Sequence, residues 1–222
     1  MNSDRVTHLR MALLYLSTRK VHLIILGAVA LGVATAVWGS WEAATPAALD
    51  GNETHVPLWR LFAVGSAILP VLSLTGPLDT LEAAAGPAYF RLRHTVLFAT
   101  FAVSFACIVY GGALQAEAGT VPLVVRATPA WFGLALLSAR ILGRRSAWIL
   151  PWAVMCALIY WGPRGQGAYH WWDFSASPPA TTSTAWLSAA LFALGVGAHL
   201  LTPWRVRTAT RFRFPRQTEH QP

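Results

Sequence analysis

The segment GPLDTLEAAAGPAYFRLRH, residues 76–94, is a long polar stretch set between two strongly apolar runs. Gly76-Pro77 ends the run before it and opens a short helix, because proline's fixed φ suits a first helical position. Asp79 and Glu82 then fall in the first turn and a half, where the helix dipole favours negative charge. Gly86-Pro87 stops that helix and starts another, so the short piece turns across a membrane plane. Arg91, Arg93 and His94 close the segment just ahead of the next apolar run. The plain reading is a polar loop. The sharper one is a docking surface that receives force from a partner.

Composition supplies the membrane. Of 222 residues, 55% are hydrophobic and 12% charged, about half the charged fraction usual for a soluble domain. The surplus apolar surface must therefore face lipid. Cys107 and Cys156 lie inside apolar runs and read as small buried hydrophobes, not as a disulfide framework. The net charge is +8. The basic residues gather at the ends of apolar runs and form no single soluble face, which argues for membrane orientation and against nucleic acid.

Working outward from residues 76–94 gives six spans, at about 21–39, 58–75, 95–114, 123–142, 147–161 and 185–203. Residues 3–20 precede them as an amphipathic interfacial helix. Val6, Leu9, Leu13 and Leu16 form its apolar stripe, and Arg5, Arg10, Arg19 and Lys20 meet headgroups. Ala28, Gly32 and Ala36 give the first span a small-residue stripe for close helix approach. Residues 40–56 read as an outer loop, and Pro70 should bend the second span. Arg60, near the outer end of that span, is expected to snorkel to the headgroups. Residues 162–184 form a long outer loop whose Tyr169, Trp171, Trp172 and Phe174 suit the interface. A basic tail follows over 204–222.

Positive charge fixes the orientation. With both termini cytoplasmic, all basic residues except Arg60, Arg126 and Arg164 are inside, and the loops on the two sides are similar in length. Tryptophan follows the same frame. Trp38, Trp41, Trp59, Trp131, Trp161, Trp171, Trp172 and Trp186 map to an outer belt, and Trp148, Trp152 and Trp204 to an inner one. The predicted fold is an all-α, polytopic, single-domain bundle in the cell membrane.

The spans carry little chemistry. No acidic residue lies within any of them, which disfavours an ion-coupled carrier or a carboxylate-dyad protease. His22, His94 and His199 map to inner span ends and are candidate haem or metal ligands, although interfacial or hydrogen-bonded histidines have the same appearance. His170 and Asp173 form a local pair with a structural reading. No phosphate-binding loop, zinc motif or nucleophile elbow is present.

The layout of an N-terminal interfacial helix, six spans, a helix-bearing inner loop after span two and an aromatic outer segment before span six resembles the permease subunits of bacterial ABC transporters of the ABC-2 exporter type. In that family the inner loop is the coupling helix that contacts a separate ATPase. Leu78, Asp79, Thr80, Leu81, Glu82, Arg91 and Arg93 occupy the matching place. The family's acidic residue followed by Gly-Thr is missing here. The resemblance implies a non-enzymatic permease with no cofactor of its own, ATP and magnesium being held by a cytoplasmic ATP-binding partner. It further implies a second permease copy or a homologous permease, and a hydrophobic or amphiphilic cargo such as a peptide, lipid or antibiotic. Two other classes compete with it: a membrane-embedded enzyme or haem protein using the inner histidines, and a non-transporting accessory or immunity protein.

Overall fold

The structure, a computed structural model, describes residues 20–46, 53–75, 87–115, 119–164 and 168–201. The expected interfacial helix, residues 76–86 of the polar segment and the basic tail beyond residue 201 lie outside these. Six α-helices are present among the described residues: α1 (Val21–Trp38), α2 (Trp59–Leu72), α3 (Pro87–Ala113), α4 (Thr120–Ile141), α5 (Ile149–Trp161) and α6 (Thr182–Leu201). Four of them, α1, α3, α4 and α6, are long and apolar enough to cross a membrane. A helix is the form such a run takes in lipid, because it satisfies every backbone N–H and C=O internally.

The remaining two are shorter. Helix α2 has 14 residues, or about 21 Å at 1.5 Å per residue. Past Pro70 the chain tightens into i→i+3 bonds from Ser73, Leu74 and Thr75, which carry it to residue 75. Helix α5 has 13 residues and follows a 3₁₀ turn over Arg144–Ser146. Helix α3 begins at Pro87, eight residues before the span expected from hydropathy. Its 27 residues amount to about 40 Å, longer than the roughly 30 Å hydrocarbon core of a bilayer.

Helix α4 is the hub, packed by α2, α3, α5 and α6, while α1 lies against α2 and α3. Phe101 of α3 stacks on Phe132 of α4 at 3.9 Å between ring centroids, and Phe192 of α6 completes the aromatic core. Glycine permits the closest crossings. A Cβ at Gly111 would overlap the carbonyl oxygen of Gly32, and a Cβ at Gly195 would overlap that of Gly133. The small-residue stripe on α1 thus finds a partner: Ala28 and Gly32 are buried, and Thr35 continues the stripe in place of half-buried Ala36. Gln115 donates from Nε2 to the Thr35 carbonyl at 2.5 Å.

The segment expected to be a plain loop between the first two spans contains a hairpin. Strand β1 (Glu42–Pro46) pairs antiparallel with β2 (Glu53–Pro57), with Ala44 opposite His55. Trp59 N–H donates to the Gly39 carbonyl and Leu58 N–H to that of Trp41, so the hairpin clamps the end of α1 to the start of α2. Thr45, Thr54 and Val56 are β-branched, the local signal a strand requires. Hydropathy alone does not register it.

Candidate functional site

Polar side chains concentrate at the two ends of the bundle. At one end, the chain after α5 folds back into the protein. Asp173 and Ser175 are fully buried, and Arg60 is 2% exposed. Arg60 Nη2 donates to both Asp173 carboxylate oxygens at 3.1 Å and to Ser175 Oγ at 2.6 Å. Asp173 Oδ1 also accepts from the backbone N–H groups of Ser175 and Ala176 and from Ser175 Oγ. This is an Asx turn, in which an aspartate side chain accepts from the backbone N–H two residues on. It holds the carboxylate rigid toward α2.

Arg60 therefore does not snorkel. A guanidinium desolvated without a partner costs several kcal/mol, about 3–5 when one member of a buried pair is lost. Asp173 supplies the counter-charge inside the bundle, so the side chain turns inward. His170 does not pair with Asp173 through its ring. It lies 3.1 Å from Arg164 Nε and stacks on Trp172.

A second arginine secures the same segment through main-chain carbonyls. Arg126 of α4 donates from Nε to Phe174 O at 2.9 Å, from Nη2 to Ser177 O, and from Nη1 to Pro178 O and Thr184 Oγ1. Carbonyls that the turn leaves without helical partners thus converge on one planar fork. Phe174 is carried inward against Trp131, with ring centroids 4.8 Å apart. Trp131 and Trp59 are consequently core residues and not part of an aromatic belt. Trp38, Trp41, Trp161, Trp171 and Trp186 are exposed, as are Trp148 and Trp152.

The other end of the bundle is basic. On the first turns of α3, Arg91 is exposed, whereas Arg93 is 3% exposed. Leu78, Asp79, Thr80, Leu81 and Glu82 of the expected coupling surface lie outside the described residues. Arg144 is buried and donates from Nη1 to the Leu74 carbonyl at 3.1 Å, capping the turn that ends α2. Of the three histidines expected at inner span ends, His94 and His199 meet edge to face with centroids 5.2 Å apart. His22 is exposed on α1. Among the described residues, no group of three histidine, cysteine, aspartate or glutamate side chains is placed to hold a metal ion.

A groove of about 460 Å³ opens between the hairpin and α5, lined by Thr45, Pro46, Ala153, Cys156, Tyr160 and Trp161 among others. Its two walls come from elements about a hundred residues apart in the chain, so no local sequence pattern marks it. No protein-family model matches this chain, and no match is found among curated proteins or solved structures.

Proposed function

We propose that this chain is a six-span permease subunit of an ATP-driven exporter in the cell membrane, with both termini cytoplasmic. In this reading α2 and α5 complete the set of spans begun by the four long helices. The polar segment at residues 76–94 docks a cytoplasmic ATP-binding subunit. A second permease copy, or a homologous permease, faces this one across the path.

The observation that carries the reading is the continuity of α3. This helix starts at Pro87, within the polar segment, and runs without a break to Ala113. Hydrogen bonds along a helix make it a stiff rod, so a displacement at Arg91 is delivered to the bundle core without loss in a hinge. Buried Arg93 ties the same turns to the bundle, while exposed Arg91 remains for a partner to grip. The apolar groove beside α5 supports a hydrophobic or amphiphilic cargo entering sideways from lipid.

The test is co-purification. The chain extracted in mild detergent should retain an ATP-binding subunit, and hydrophobic peptide should stimulate that subunit's ATP hydrolysis. Asp79→Arg combined with Glu82→Arg should release it. An intact, helical chain that never retains an ATPase would defeat the proposal.

A further inference from the structure

The end of the bundle opposite the Arg60–Asp173 pair carries a basic cluster that includes Arg93 and His94 of the docking segment and lines no part of the cargo groove. We propose that it binds the phosphate of an anionic phospholipid headgroup. Two pairs anchor the cluster, Arg144 on the 3₁₀ turn with the Leu74 carbonyl after α2 and His94 on α3 with His199 at the end of α6. Arg93 of α3, Arg140 at the end of α4 and Arg144 lie within electrostatic reach of His199. Arg93, Arg144 and His199 are at least nine-tenths buried.

A second observation points to a ligand. His199 Nε2 is buried without a hydrogen-bond partner, and such an atom is costly unless something fills the site. The His94 ring packs against this imidazole at 5.2 Å. Exposed Arg91 and Arg145 extend the same positive field to the surface. A phosphate oxygen accepts from guanidinium and imidazole N–H groups alike. Basic pockets between spans on the cytoplasmic side favour acidic headgroups for this reason. A choline headgroup would bring a like charge to the arginines, so selection runs against zwitterionic lipid. The inference shares the membrane orientation proposed above and is independent of transport.

The purified full chain is exchanged into nanodiscs containing equal parts phosphatidylglycerol and phosphatidylcholine, and lipid retained after mild extraction is counted by native mass spectrometry. Phosphatidylglycerol should be retained about tenfold over phosphatidylcholine, with Arg93→Gln plus Arg140→Gln abolishing the preference. Diethylpyrocarbonate modification of His199, mapped by peptide mass, should slow in phosphatidylglycerol but not in phosphatidylcholine discs, with exposed His22 as the internal reference. This second readout uses the unaltered chain and stands even where the double variant fails to fold. Equal retention of the two lipids would overturn the proposal. So would protection of His199 by inorganic phosphate equal to that by lipid, which would mark a free-anion site. Neither result bears on ATPase association.

Discussion

Arg60 and Asp173, separated by 113 positions in the chain, meet through a single guanidinium nitrogen 3.1 Å from both carboxylate oxygens. One lies on the first turn of α2 and the other in the segment between α5 and α6. The pair thus joins the two halves of the molecule at the end where the chain folds back on itself.

Breaking this pair from one side should be far worse than removing both partners. Asp173→Leu or Arg60→Leu each leaves the other polar group buried, at a cost of about 3–5 kcal/mol. Arg60→Leu combined with Asp173→Leu should recover a substantial part of the loss. Thermal unfolding of the three variants in one detergent, followed by tryptophan fluorescence, gives the coupling. Additive losses in the double variant would mean that the two side chains do not depend on each other.

Arg126→Lys keeps the charge and loses the fork. Lysine cannot reach Phe174 O, Ser177 O and Pro178 O together, so the segment they belong to should loosen. Backbone amide exchange at Asp173, Ser175 and Ser177 should quicken by about tenfold or more, while amides in the middle of α4 stay protected. Unchanged exchange in the segment would show that Arg126 does not hold it.

Gly111→Val should destabilise the bundle more than Gly112→Ala. A Cβ at Gly111 overlaps the Gly32 backbone, whereas one at Gly112 would sit 3.6 Å from Val124 Cγ2, an ordinary contact. Overpacking costs typically about 1–3 kcal/mol, and rigid backbone on the opposing helix puts Gly111→Val at the upper end. Comparing melting temperatures of the two variants in the same micelle decides it. Equal behaviour would mean that α1 and α3 do not cross this closely.

The orientation is open to thiol labelling. With Cys107 and Cys156 replaced by alanine, a cysteine at Thr54 in β2 should react with a membrane-impermeant maleimide on intact cells. A cysteine at Arg145 should react only after permeabilisation. Labelling of both from the same side would require an even number of crossings between them, contrary to the three (α2, α3 and α4) that the six-span topology places there.

Sequence by itself determined that long apolar runs become helices, and it located α1, α3, α4 and α6 to within a few residues, apart from the earlier start of α3. The bilayer imposes this, since an extended run would leave its peptide groups unpaired in hydrocarbon. Tertiary structure alone decided the polar contacts. Arg60 has the sequence of a snorkelling residue and Trp131 that of a belt residue, yet both are buried, because the segment around Asp173 and Phe174 folds back over them. Hydropathy reports how a residue partitions between water and lipid. It cannot report a counter-charge or an aromatic face that arrives from more than forty, or more than a hundred, positions away, and that arrival decides which cost is lower.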